Sequence, residues 1–231
     1  MSRLGLITIG QAPRPDIAAD VQPLLGTTEL VEAGALDGLA AGELAALAPG
    51  PGDELLVTKL ADGTPVRVAH SRIMPRVASA ANRALAAGAD RVLVMCTAEL
   101  ASADLPAAVY TSEEILRPAV SALARGRRLG VVVPEDAQRE QAHERWAASA
   151  DTVQVGVADP YGPQATGEVV ATCAALAESS ELIVLDCMGY SAAMGSRARQ
   201  QCGAAVVVAR TLVVRVVLEA LPSERSRREL A

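Results

Sequence analysis

Short apolar runs alternate with longer Ala-rich stretches along almost the whole chain. Residues 4–9 carry the pattern of a buried strand. Residues 13–25 carry that of a helix with Pro13 or Pro15 in its first turn, where an amide N–H is dispensable. Residues 28–33 predict a second strand. Residues 54–59 and 65–69 flank Ala61-Asp62-Gly63-Thr64, which predicts a hairpin with Asp-Gly at its tip. A long helix is expected over 71–87, with Ser71 as N-cap and Gly88 as the C′ residue. Further strands are expected at 91–95, 108–110, 129–133, 152–157, 182–185 and 205–208. Helices between and after them are expected at 112–124, 135–148, 167–178, 191–201 and 210–221. This alternation predicts an α/β protein with parallel sheets covered by helices.

The pattern is used twice. Arg3-Leu4-Gly5-Leu6-Ile7 matches Arg128-Leu129-Gly130-Val131-Val132. Ala81-Asn82-Arg83-Ala84-Leu85-Ala86 matches Thr172-Cys173-Ala174-Ala175-Leu176-Ala177, and Ala107-Ala108-Val109 matches Ala204-Ala205-Val206. The matches keep the same order, and the first copy carries about 34 extra residues near the hairpin. Two pseudo-symmetric, Rossmann-like lobes are expected: residues 1–110 with 209–231, and residues 111–208. The active-site cleft is expected between them, since ligands of such sheets lie at the carboxyl ends of the strands.

Two strands end alike. Asp90 and Glu181 each stand six residues before a cysteine, Cys96 and Cys187. A pair of thiols at matching strand ends suits proton transfer at a carbon, one taking the proton from one face and the other returning it. Backbone N–H groups of the turns that follow, at Thr97, Ala98, Met188, Gly189 and Tyr190, would favour a thiolate and hold a carboxylate or enolate oxygen. Asp186 should point to the opposite side from the Cys187 thiol, because strand side chains alternate. Cys173, in mid-helix, and Cys202, at a helix end, read as small core residues. After the first strand, Gly10 permits close backbone approach, and Gln11 and Arg14 are candidates for reading a substrate carboxylate or amide. Arg72 is a second anion candidate, with an exposed arginine as the plainer reading. His70 and His143 read as structural.

Composition narrows the partners. The 231 residues are 51% apolar but lack Phe and have one Trp, so the core is aliphatic. Net charge is -6 and the arginines are scattered, which argues against nucleic acid. The one basic cluster, Arg225, Arg227 and Arg228, reads as a solvated terminus. No apolar run reaches the roughly 18 residues of a membrane span. A cytoplasmic protein with reduced thiols is expected. With two histidines and no CxxC, no metal site is expected. There is no P-loop, no GxGxxG and no GxSxG, and Lys59 is the only lysine, which counts against pyridoxal phosphate. No cofactor is expected. The expected partner is a small carboxylate substrate, with a homodimer as the default assembly.

The residues Leu6-Ile7-Thr8-Ile9-Gly10-Gln11-Ala12-Pro13-Arg14, Met95-Cys96-Thr97-Ala98 and Leu185-Asp186-Cys187-Met188-Gly189-Tyr190 resemble the AroM family over nearly the whole chain. That family is similar to the aspartate/glutamate/hydantoin racemase superfamily. The resemblance implies two pseudo-symmetric α/β lobes, cofactor-independent isomerase chemistry of the racemase or epimerase kind, and Cys96 and Cys187 as the acid/base pair. Cys96 is followed directly by Thr97, whereas the superfamily pattern has one residue between. Cys187 lies between Asp186 and Met188, where the pattern has glycine and threonine. Alternatives from the same resemblance are a single-cysteine lyase or decarboxylase and a cis–trans isomerase. A non-catalytic protein that binds small carboxylates is the alternative from another class.

Overall fold

A computed structural model describes residues 1–100 and 105–222. The basic cluster at Arg225, Arg227 and Arg228 lies outside the described residues. The chain divides into two compact units, Met1–Glu113 with the chain from Val214, and Glu114–Val213. Both divisions fall a few residues inside helices, whereas the sequence reading had placed them at the strand ends just before.

The first unit opens with β1 (Arg3–Thr8), α1 (Pro15–Leu25), β2 (Glu29–Gly34) and a short α2 (Ala41–Ala45). The hairpin β3 (Leu55–Lys59) and β4 (Pro65–Ala69) follows, then α3 (His70–Ala86), β5 (Arg91–Met95) and β6 (Val109–Thr111). Its four-stranded sheet has the order β2-β1-β5-β6, all parallel. The hairpin is a separate antiparallel ribbon. It is closed by the Leu60 N–H on the Thr64 carbonyl and by the Thr64 N–H on Asp62.

Helix α3 shows why this unit packs. Ile73, Val77, Ala80, Ala81 and Ala84 recur at helical spacing and are all buried. They join Ile7, Val92 and Val94 in one apolar cluster. Ser71 is not its N-cap, as expected, but lies inside the helix; Ala69 occupies the cap. Gly88 does follow the helix end, with φ +91°. Helix α2 was not anticipated. It is one short turn, started by Glu43 accepting the Ala40 N–H, and its residues give no apolar stripe.

The second unit contains most of α4 (Ser112–Ala124), then β7 (Arg128–Val133), α5 (Arg139–Trp146) and β8 (Thr152–Val157). It continues with α6 (Ala165–Ala177), β9 (Leu182–Leu185), α7 (Ala192–Gln201), β10 (Ala205–Val208) and the start of α8 (Ala209–Glu219). The single helix expected over 135–148 is α5 flanked by two 3-10 turns. Helix α7 begins as expected, with the Ser191 hydroxyl accepting the Met194 N–H.

The parallel sheet of this unit has the order β10-β9-β7-β8. With β7 matched to β1, β8 to β2, β9 to β5 and β10 to β6, the two sheet orders are identical. The repeat extends to hydrogen bonds. The Asp90 N–H meets the Arg3 carbonyl, and Asp90 accepts the Arg3 N–H at 2.7 Å. In the second unit the Glu181 N–H meets the Arg128 carbonyl, and Glu181 accepts the Arg128 N–H at 3.1 Å. The acid that begins each cysteine strand thus ties it to the first strand of its unit, which accounts for that residue in both copies.

Candidate active site

Strand register fixes what gathers at each carboxyl edge. In the first unit Thr8 lies beside Gly34 on one side and Met95 on the other. The loop from Gly10 and the turn at Cys96 therefore leave the same edge. In the second unit Val132 pairs with Leu185 and Gly156, and Leu185 pairs with Val208. Cys187, the segment Ala158 to Tyr161 and the start of α8 share that edge.

Cys96 ends β5 in a tight turn, its own N–H bonded to the Val94 carbonyl at 3.0 Å. It is 7% exposed and belongs to the apolar cluster of the first unit, with Ala98 beside it. Thr97 between them is partly exposed. His70, read from sequence as structural, places its Nε2 at 2.8 Å from the Glu99 carbonyl. The first residue of α3 so fastens the chain just past the cysteine turn.

The loop after β1 is held from several sides. A Cβ at Gly10 would lie 2.2 Å from the Lys59 carbonyl oxygen, so only glycine lets the hairpin approach this closely. Gln11 was expected to read a substrate. Its amide instead donates to the Leu36 carbonyl and accepts the Ala61 N–H, tying loop to hairpin. Arg14 was expected at a substrate anion. It is 5% exposed, and its guanidinium grips the Asp16 carboxylate through Nε at 2.8 Å and Nη2 at 2.7 Å, with the Thr8 hydroxyl on Nη1. A bidentate intramolecular partner leaves this side chain poorly suited to an incoming carboxylate. Arg72 likewise binds the Ala46 and Ala48 carbonyls and Asp53.

The second turn is more polar. Asp186 is buried and turns toward α5, where it accepts the Trp146 indole N–H at 2.8 Å and pairs with Arg145. Cys187 packs instead against the cluster built on α6 and α7. The two side chains thus part as strand alternation requires. The Gly189 N–H donates to the Cys187 sulfur at 3.3 Å, and the Tyr161 side chain adds a second hydrogen bond to it. Both favour thiolate, as does the Arg210 charge. Burial outweighs them, and the thiol is pushed up, with Asp186 pushing the same way. The turn N–H of Gly189 acts on the sulfur in the expected direction, toward thiolate, although burial sets the net direction at Cys187 upward.

Met188 and Gly189 are buried. The Met188 carbonyl accepts from Arg210, 1% exposed, through Nε at 2.8 Å and through Nη2. Tyr190 was expected among substrate contacts. The contact expected of it was the backbone N–H, which lies 3.3 Å from the Cys187 carbonyl and closes the turn, while its buried hydroxyl donates to the Ala158 carbonyl at 2.8 Å. Of the other two cysteines, Cys173 is fully buried, and burial followed by the nearby Cys202 pushes its thiol up to about 12.

Sequence reasoning missed Tyr161, Arg145, Trp146 and Arg210 as neighbours of the second turn. Tyr161 had a signal: it is one of three tyrosines in a chain without Phe, and it follows Asp159-Pro160, a turn pair just past β8. Among the described residues no group of three or more His, Cys, Asp or Glu is arranged to hold a metal ion. No described helix is long and apolar enough to cross a membrane.

Comparison with known proteins agrees with this architecture. A point mutant of arylmalonate decarboxylase in its sulfate-associated form superposes with TM-score 0.64 at 18% identity, over 94% of this chain and 93% of that one. Picrophilus torridus aspartate racemase gives 0.62 at 8%, over 99% and 98%. Maleate isomerase from Pseudomonas putida gives 0.57 at 13%, over 96% and 95%. At these identities the likeness is one of fold. The sequence matches no curated protein. The model of the AroM protein family matches residues 4–221, and the chain belongs to that family.

Proposed function

We propose that this protein is a cofactor-independent isomerase of the racemase or epimerase class acting on a small carboxylate. Cys96 and Cys187 are the acid/base pair in this reading. One thiolate takes the proton α to the carboxylate; the C–H bond breaks, S–H forms, and the electron pair moves into the carboxylate as an enediolate. The other thiol returns a proton from the opposite face. Backbone N–H groups of the two turns offset the enediolate charge. The observation that carries the reading is the repeated placement of a cysteine just past the carboxyl end of corresponding strands, one residue after β5 and two after β9. The reading requires both sulfurs to reach one carbon. It is supported by the company the fold keeps, which includes an aspartate racemase, a decarboxylase and a maleate isomerase.

The state of Cys187 favours a second reading. A thiol pushed up by burial is a better proton donor than base at neutral pH. A lyase in which Cys187 alone protonates the carbanion left by decarboxylation uses the residue in that form. Small α-substituted carboxylates, incubated with the protein in deuterium oxide and followed by NMR, separate the two. An isomerase washes deuterium into the α position with the carboxylate intact. A lyase releases carbon dioxide and leaves deuterium only in the product. A panel of amino, hydroxy and aryl carboxylates that shows neither, with binding intact, would leave the non-catalytic binding protein as the better account.

A further inference from the structure

The residue after β8 that shapes the Cys187 turn lies 26 positions upstream in the chain. The Asp159 carboxylate accepts the Tyr161 N–H at 2.9 Å and turns the segment back after the strand. This lays Pro160 and Tyr161 against Gly189. A Cβ at Gly189 would stand 2.6 Å from Pro160 Cγ and 2.7 Å from both Cζ and the hydroxyl of Tyr161. Position 189 is thus glycine because the tip of the tyrosine ring occupies that space. The same phenol reaches Cys187, whose sulfur also receives the Gly189 N–H.

We propose that Tyr161 is a positioning residue for the reacting sulfur: its ring fills the hollow left by Gly189 and its hydroxyl donates to Cys187 Sγ. The turn then presents two donors to one sulfur, a backbone amide and a phenol. Before Cys187 takes a proton from carbon its sulfur is a thiolate, and both donors hold that charge. When it gives the proton up, the phenol keeps the sulfur aimed. This role rests on the use of Cys187 proposed above and adds a residue to it.

The test is Tyr161→Phe in the full-length protein, which keeps the ring against Gly189 and removes only the hydroxyl. The rate at which iodoacetamide labels Cys187 is followed from pH 6.5 to 10 by peptide mass mapping, with Cys173 as internal control. Losing a donor to the thiolate should push the Cys187 midpoint further up, and since burial already holds it high the rise is read as labelling about tenfold slower across this range. A merely space-filling tyrosine leaves the profile where it was, and superimposable profiles would overturn the proposal. Gly189→Ala is the second arm. It retains the phenol but displaces it from the sulfur, and the midpoint should rise there too; an unmoved midpoint counts equally against the geometry. Labelling needs no substrate. An unshifted profile sinks Tyr161 alone, while a failed exchange assay with a shifted profile sinks the isomerase reading alone.

Discussion

In the first lobe the cysteine turn reads Met95-Cys96-Thr97-Ala98; in the second the corresponding residues are Asp186-Cys187-Met188-Gly189. The strands before them carry the same acid-to-carbonyl tie, and the sheets have the same order. The surroundings of the sulfurs differ. Cys96 sits among apolar side chains, behind a buried Met95. Cys187 follows a buried carboxylate bound to Arg145 and Trp146 and precedes a carbonyl held by Arg210. A repeated scaffold fixes where a side chain emerges, whereas the neighbours that decide its proton affinity come from loops and helix ends that the two copies do not share.

The sharpest way to break the comparison is to remove each sulfur in turn. If each cysteine serves one face of the carbon, Cys96→Ser and Cys187→Ser should each lower racemisation by about 10³-fold or more, within the range for loss of a general acid or base. Each variant should still exchange the α-hydrogen of one enantiomer with solvent, and the two should prefer opposite enantiomers. Full turnover in Cys96→Ser beside a dead Cys187→Ser would instead assign all the chemistry to the polar turn.

The residues before the cysteines come next. Asp186→Met copies the first lobe's residue into the second and removes the buried carboxylate that Arg145 and the Trp146 indole N–H share. Breaking such a pair costs about 3–5 kcal/mol in a dry interior, and the partial exposure of Arg145 puts the expectation near the lower end, about 3 kcal/mol. Met95→Leu, a volume-conserving change in the apolar counterpart, should cost less than about 1.5 kcal/mol. Urea unfolding measures both. Equal losses would mean that the Asp186 network adds nothing beyond packing.

A smaller contrast lies at the fourth residue of each turn, Ala98 against Gly189. Gly189→Ala forces a methyl into Pro160 and Tyr161, and overpacking of this kind costs about 1–3 kcal/mol. Ala98→Gly should cost about 1 kcal/mol or less, from chain entropy and one lost methyl. Similar thermal midpoints for the two variants would remove the argument that Tyr161 dictates the glycine.

What the sequence made legible follows from which forces are local. Strands β5, β8, β9 and β10 coincide with the predicted ranges, because apolar runs bounded by turn residues state both their kind and their ends. The duplication was visible because the Leu-Gly strands, the Ala-rich helices and the two cysteines recur in order. Ser71 misled because a serine near a helix start is a good cap only if the backbone leaves the helix there, and β4 runs directly into α3. Gln11, Arg14 and Tyr190 have the chemistry of ligand-binding groups. Their hydrogen bonds to Leu36, Asp16 and Ala158 depend on which segments the fold brings alongside, and no spacing announces that. Tyr161 escaped for the same reason, since only the fold brings the segment after β8 across to the turn after β9.

The smallest effect concerns a thiol that takes no part in the chemistry. Cys173 in α6 corresponds to Asn82 in α3, an exposed residue with no titratable side chain. Burial first and Cys202 second raise the Cys173 thiol from 9.0 to about 12. The folded protein therefore keeps a proton that the unfolded chain sheds above pH 9. Stability from this thiol is fully present below that pH. It falls as the pH climbs toward 12, by at most about 1.4 kcal/mol per pH unit. Cys173→Ala should lower stability at pH 8 through the lost sulfur, yet flatten the decline between pH 9 and pH 10.5. Asn82→Ala should leave that slope as in the parent. Urea unfolding at pH 8, 9, 10 and 10.5 gives the slopes. Parallel curves for the parent and Cys173→Ala would show that the second lobe's core opens to hydroxide before the thiol matters.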